Sequence, residues 1–246
     1  MWESYTIELE GFPYNIVLWD GSPIKHTVKI QEKNVTIRSY FMAKIYDASM
    51  KEMEDACMSN WRQELLSDIS GDVLEIGSGT GINLPHYPMS VHELTLTEPE
   101  PHMLNLLKSN INGDLEDKCI LANHPAETLN FPDNTFDAVV STLVLCSVDS
   151  VEKTLYEIKR VLKPEGKFYF IEHVIAKDTP KLIKWQKLFK PFVIYMCGNC
   201  HLTRDTETSI SNAGFEFKSI ERLKSTGSPA IVSPTIKGIA INVKDA

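Results

Sequence analysis

The sequence predicts an α/β fold in which a mostly parallel sheet is flanked by helices, with a short β-rich extension in front of it. Three observations carry this. From residue 72 onward, short apolar runs alternate with longer amphipathic ones; the first run, "DVLEI", opens into a loop holding Gly77, Gly79 and Gly81; and the chain closes on two β-like runs with no helix between them. Parallel strands need crossovers of a dozen or more residues, so regular alternation of strand and helix implies a parallel sheet covered on both faces. A closing pair without a crossover puts two strands at one edge, the last of them antiparallel.

Residues 1–38 hold three β-rich runs, "YTIELE", "NIVLW" and "HTVKI", and the Asp20-Gly21 pair between the last two suits a tight turn. These residues form the extension; residues 39–246 form the main domain. Residues 39–69 read as helical, with Met50, Met53, Cys57 and Trp61 along one face that is expected to pack on the core. Tyr40 and Tyr46, at the start of this segment, are candidates to close a ligand pocket. The strands "DVLEIG", "HELTLTE", "KCILAN", "FDAVVST" and "GKFYFIEHV" then follow, with "PEPHMLNLLKSNI" and "VEKTLYEIKRVLK" as helices among them. "PKLIKWQKLFKPFVIYM" and "TRDTETSISNAGF" supply two further helices before the closing strands "FEFKSIERL" and "IKGIAINVK".

Composition narrows the function classes. A net charge of −8 argues against a protein built to coat nucleic acid, and 43% hydrophobic with 24% charged residues is the balance of a globular chain. Five cysteines, an odd count, do not make a disulfide framework. The start "MWESYTIELEGFPYNIV" lacks the basic-then-apolar pattern of a secretory signal, and no window reaches the length of a membrane span, so a cytoplasmic location is expected.

The glycine loop is the first candidate for function, because open α/β sheets bind ligands beyond the carboxyl ends of their strands. Small residues there let backbone approach a ligand. A dinucleotide site asks for G-x-G-x-x-G, whereas here the third glycine comes one place early and Ile82 holds the expected position. The prolines in "INLPHYP" also leave little room for a long phosphate-capping helix. A pyrophosphate ligand is therefore disfavoured, while an adenosine-containing ligand without phosphates remains open. Glu75 sits inside the first apolar strand, where an unpaired carboxylate is costly and wants a donor. Glu98, at the end of the second strand, is placed to accept both hydroxyls of a ribose; its competing reading is an N-cap for the helix that follows.

"VLEIGSGTG", Glu98, "PAETLNFPDNTFDAVVSTLVLCSV" and "EIKRVLKPEGKFYFIEHV" resemble, in order and spacing, the motifs of class I S-adenosylmethionine-dependent methyltransferases. "STLVLCSV", "IEHV" and "CHLTRDT" are similar to the methyltransferase-like-seven group, which methylates small alkyl thiols. The resemblance covers residues 39–244 and implies a Rossmann-like sheet of seven strands, with S-adenosylmethionine as cofactor and S-adenosylhomocysteine as product. It implies that Glu75 and Gly77, Ser78, Gly79, Thr80 and Gly81 meet the methionine portion. Glu98 would hold the ribose with Pro99 nearby, Ala126 and Glu127 would lie beside the adenine, and Thr142 and Leu143 would touch the methionine end. Two departures stand out. Pro125 occupies the place where many members carry an acid for the adenine amino group, and this chain begins with an acidic β-rich stretch rather than an apolar membrane anchor.

The implied partner is a small-molecule methyl acceptor, first of all a thiol. The alternatives are N- or O-methylation of a lipid, metabolite or protein side chain, or a cofactor-binding module without catalysis. A thiol needs little activation near neutral pH, while a hydroxyl needs a base. His173, in "FIEHV", is the candidate base or thiolate partner, against a purely structural histidine. Cys146, His201 and Arg204 are candidates to line the acceptor pocket; the competing readings are packing for Cys146 and, around "CHLTRDT", Thr203 as a helix cap. Asp149 is expected to cap the helix that begins after it. "CGNC", Cys197 to Cys200, has the spacing of metal and redox pairs, but a second pair is lacking and no metal is expected. In residues 181–196, Lys181, Lys184, Lys187 and Lys190 alternate with apolar and aromatic residues, which suits a lid with a solvated lysine face or a helix lying on an anionic membrane surface; the lid is preferred.

Overall fold

The computed structural model describes residues 4–9, 12–17, 51–196 and 199–243. Strands β1 (Ser4–Leu9) and β2 (Phe12–Val17) pair antiparallel in a sheet of their own, so the pairing joins the first two β-rich runs. "HTVKI", Tyr40, Tyr46 and Met50 lie outside the described residues.

The main sheet has seven strands: β3 (Gly71–Ile76), β4 (Val91–Thr97), β5 (Cys119–Ala122), β6 (Phe136–Thr142), β7 (Leu162–His173), β8 (Phe215–Lys224) and β9 (Pro234–Asn242). Their order is β5-β4-β3-β6-β7-β9-β8, with only β9 running against its neighbours. The parallel core and the reversed last strand are as the sequence predicts. Strands β3 to β7 all run parallel, so the loops after them open on one edge, and the order reverses between β3 and β6.

Alternation along each strand divides the core in two. Leu74, Ile76, Phe168 and Phe170 pack with Leu155, Ile158, Ile210 and Phe215 on one face, while Val73, Tyr169 and Ile171 pack with Met58, Leu65, Leu66 and Leu107 on the other. Both faces are apolar because helices cover both. The covering helices are α1 (Ser59–Leu66), α2 (Pro101–Asn110), α3 (Val151–Val161) and α5 (Thr206–Asn212), while α4 (Pro180–Met196) enters neither core and packs Val193 with Cys146, Cys200 and Leu202 instead.

Helix α1 carries an irregularity that periodicity does not reveal. A π-helical turn, Glu54–Met58, precedes it, with the Ser59 amide bonding back to the Glu54 carbonyl. That turn holds one residue more than an α-turn, so the inward row steps from Met53 to Met58 and on to Arg62, and Trp61 is turned to a half-buried position. Helix α4 is pinned by buried Gln186, whose Oε1 accepts from the Ala176 amide and whose Nε2 donates to the Val174 and Ile231 carbonyls. Its Trp185, Leu188, Phe189, Phe192 and Tyr195 are exposed among the described residues, and no described helix is long and apolar enough to cross a membrane.

Two caps differ from the residues the sequence offers. Ser150, not Asp149, caps α3, its hydroxyl accepting from the Lys153 amide; a hydroxyl one residue nearer the helix reaches that amide, while Asp149 Oδ1 faces Asn199 instead. Asp205, not Thr203, caps α5 through the Thr208 amide. Glu100 caps α2, which sets aside the competing cap reading of Glu98. We expect Ser150→Ala to cost about 1 kcal/mol in urea unfolding and Asp149→Ala to stay within about 0.5 kcal/mol.

Candidate active site

The loop after β3 holds its shape through left-handed glycines. At Gly77 (φ 57°) a Cβ would meet the Val144 side chain at 2.7 Å, so packing as well as backbone demands glycine. At Gly79 (φ 58°) a Cβ would find nothing within 4 Å: this part of the loop faces open space on the sheet's carboxyl edge. The Ser78 amide donates to the Thr97 carbonyl at 2.9 Å, tying the loop to β4.

Glu98 follows β4 directly and is buried. Its Oε2 accepts from the Gly79 amide and its Oε1 from the Glu100 amide, both at 2.9 Å. Burial raises its carboxyl pKa, and these two amides oppose the rise. Each oxygen keeps a second acceptor site, which suits a pair of vicinal hydroxyls. Pro99 beside it is exposed.

Glu75 is 2% exposed, and its donors are side chains. Asn83 Nδ2 donates to Oε1 at 2.9 Å and the Tyr87 hydroxyl to Oε2 at 2.6 Å. Arg62 supports them from behind: Nη1 donates to Asn83 Oδ1 at 2.7 Å and to Thr142 Oγ1 at 2.8 Å, while Nε and Nη2 grip Glu54. The cation that a buried acid requires is thus one residue removed, and Asn83 relays it. Burial pushes Glu75 up to about 7 against the lowering pull of Tyr87, Asn83 and Arg62.

The loop after β6 is organised by a third buried acid, Glu172 of β7. Its carboxylate accepts from the Ser141 hydroxyl at 2.6 Å and from the successive amides of Val144, Leu145 and Cys146 at 3.1, 3.0 and 3.3 Å. Leu143 at the start of this turn is left-handed (φ 60°), a conformation costly for a branched side chain and held here by those amides and by its own bond to the Ile171 carbonyl. Ala126 is buried in the loop after β5, and Glu127 Oε1 accepts from the Asp149 amide at 2.7 Å.

The pocket residues expected from the tail of the sequence are engaged with protein. Arg204 donates to the Leu145 and Val148 carbonyls at 2.6 and 2.5 Å, so its charge pins the turn after β6 rather than facing an open pocket. His201 Nε2 lies 3.1 Å from Asn199 Oδ1, and its pKa is lowered mainly by burial. His173, at the end of β7, is 8% exposed, with Nδ1 3.9 Å from Cys200 Sγ. Cys146 is buried beside it, and the Cys200 thiol together with burial pushes the Cys146 thiol well up.

Arg62, Asn83, Tyr87 and Glu172 are the residues of this edge that the sequence reading passed over. The signal for Glu172 was present: it is an acid within an apolar strand, as Glu75 is.

Strand order, glycine loop and the two strand-end carboxylates together define a class I S-adenosylmethionine-dependent methyltransferase. Residues 74–170 match the family described as a methyltransferase domain. The chain is 32% identical over 209 residues to a thiol S-methyltransferase of Rattus norvegicus, spanning 82% of this chain and 84% of that protein. It is 33% identical over 212 residues to a thiol S-methyltransferase of Homo sapiens, with coverage of 82% and 84%. An S-adenosylmethionine-dependent methyltransferase of Thermotoga maritima shares the fold at a TM-score of 0.62 and 19% identity, over 82% of this chain and 97% of that one. The chain belongs to the thiol S-methyltransferase family.

Glu75 yields a test of the buried network. Its folded-state pKa of about 7 lies above the ordinary 4.5, so folding favours the proton and stability falls as pH rises through that window. Between pH 4.5 and 8 the loss is about 3 kcal/mol. Glu75→Gln removes it: urea unfolding of both proteins at pH 5 and pH 8 is expected to show the variant gaining on the wild type at the higher pH.

Proposed function

We propose that the protein transfers a methyl group from S-adenosylmethionine to the sulfur of a small-molecule thiol, leaving S-adenosylhomocysteine. The observation that carries the cofactor half is the pairing of Glu98 with Gly79. One carboxylate fixes the glycine loop by its amide, keeps acceptor sites for the ribose hydroxyls, and stands beside backbone that faces open space.

The residues fit the group. Glu98 would accept from the ribose, and the loop from Gly77 to Gly81, backed by Glu75 and its donors, would line the methionine portion. Ala126 would offer an apolar contact to the adenine, with Glu127 already turned toward the Asp149 amide. Thr142 and the left-handed Leu143 would bound the methyl end. When bound, the cofactor supplies a methyl group on a sulfonium, open to in-line displacement. The chain's own work is then to hold both reactants in line and keep water out.

A thiol acceptor is supported by the names of the relatives and by the chemistry of the edge. His173 faces thiols and Arg204 faces carbonyls, so neither is set out as a base, and a thiol is the acceptor that needs one least.

Calorimetry with S-adenosylmethionine or S-adenosylhomocysteine is expected to show one site, weakened about 30-fold or more in Glu98→Ala through lost charged hydrogen bonds. With methyl-labelled cofactor, label should enter a short alkyl thiol and not the matched alcohol or amine. Label in the alcohol or amine alone would overturn the thiol assignment. Binding without transfer to any acceptor would mean a cofactor-binding module, and absence of binding would end the reading.

A further inference from the structure

The sequence draws attention to Cys197 and Cys200 as a pair, but Cys197 lies outside the described residues and Cys200 has other company. Cys146 from the turn after β6, His173 from the end of β7 and Cys200 bring one ligand atom each within 4.8 Å of one another, and all three residues are buried. The three come from separate parts of the chain.

The Cys146 thiol contacts the Leu143 carbonyl and the Ser147 hydroxyl at 3.4 Å, whereas the imidazole of His173 is incompletely satisfied. His173 Nε2 is buried without a partner, and Nδ1 faces the Cys200 sulfur at 3.9 Å, too far for a strong bond to a soft acceptor. Buried imidazoles ordinarily find an oxygen or nitrogen partner, and leaving one without costs free energy. Two thiols and an imidazole are the donor set of thiophilic cations. With zinc–sulfur bonds of about 2.3 Å and zinc–nitrogen bonds of about 2.0 Å at tetrahedral angles, ligand atoms stand about 3.5 to 3.8 Å apart. The Cys200–His173 separation of 3.9 Å is close to that, and the full set, within 4.8 Å, would close by up to about 1 Å on an ion.

We propose that Cys146, His173 and Cys200 bind one Zn²⁺ as a three-ligand site whose fourth position takes the acceptor thiol as thiolate. This rests on the thiol-methylation reading and replaces the expectation that the chain holds no metal. Three protein ligands with one open position is the arrangement of catalytic rather than structural zinc. The location suits the role. Cys146 lies three residues beyond Leu143, and β6 pairs Thr142 with Ile171, two residues before His173, so the site stands at the edge where the methyl end of the cofactor is assigned.

The acceptor would lose its thiol proton to water on binding the cation. Its sulfur lone pair would then form the new carbon–sulfur bond as the methyl–sulfonium bond breaks, with that bond's electron pair remaining on the departing sulfur. The cation would leave the sulfur nucleophilic at pH values where the free thiol is mostly protonated.

The test is cobalt titration of reduced, chelator-stripped full-length protein. One equivalent of Co²⁺ should bring sulfur-to-cobalt charge-transfer absorption and tetrahedral ligand-field bands, and a short alkyl thiol should shift those bands. Cys146→Ser and Cys200→Ser should each abolish the spectrum, and Cys119→Ser should keep it. Calorimetry with S-adenosylhomocysteine shows which variants remain folded, and His173→Gln offers a third route if a cysteine variant is not. Stripping the metal should lower thiol turnover at pH 7 about 30-fold, the loss expected when only the few per cent of free thiolate remains, with cofactor affinity moving less than about twofold. Absence of the cobalt bands, or bands that survive both cysteine variants, would overturn the site; bands indifferent to the thiol would overturn its role. Turnover that persists after stripping would sink the zinc proposal and leave thiol methylation standing. A thiol-responsive cobalt spectrum with no methyl transfer to any thiol would do the reverse to the function.

Discussion

A carboxylate withdrawn from water has to be met by donors, and that requirement shapes the carboxyl edge of this sheet. Glu75, Glu98 and Glu172 stand within or just beyond β3, β4 and β7, all buried, and each is satisfied by a different means. Glu98 gathers amides from the glycine loop and the start of α2, Glu172 gathers three consecutive amides after β6, and Glu75 gathers side chains from the segment after the glycine loop. Because these donors are mostly backbone, meeting the charge also fixes the path of the chain. The loops are set before a ligand arrives, which is how a site avoids ordering its parts at the moment of binding.

The architecture was legible because it is written in local pattern. Five apolar runs separated by amphipathic ones imply the parallel sheet without knowledge of side-chain contacts, and the early third glycine with Glu98 behind it separates this loop from a dinucleotide site. The caps lie one and two residues beyond Asp149 and Thr203, where several polar residues compete for the same amides and only three-dimensional reach decides among them. The network behind Glu75 was not legible at all. Arg62 reads as a solvated charge on an amphipathic helix until the π-helical turn is known to point it inward.

The two sides of the edge differ in how they are built. The residues proposed for the cofactor sit within a few positions of strand ends, so their order in the sequence reflects their place in space. The residues proposed for the acceptor come from the turn after β6, the end of β7 and the segment after α4, and they meet only through tertiary packing. Cys146 and Cys200 are neighbours in the fold though the sequence pairs Cys200 with Cys197. Arg204, chosen as a pocket residue, instead braces the turn that carries Cys146.

The π-helical turn at Glu54–Met58 ties the length of a helix to the chemistry of a distant strand. One surplus residue there sets the angle at which Arg62 meets Asn83, Glu54 and Thr142. Substitutions along this helix are free to drift within the limits of packing, but gains or losses of a single residue between positions 54 and 62 are not, since each rotates the guanidinium by about 100° away from the acid it supports. Among descendants of this sequence, that short interval should keep its residue count more faithfully than its residue identities.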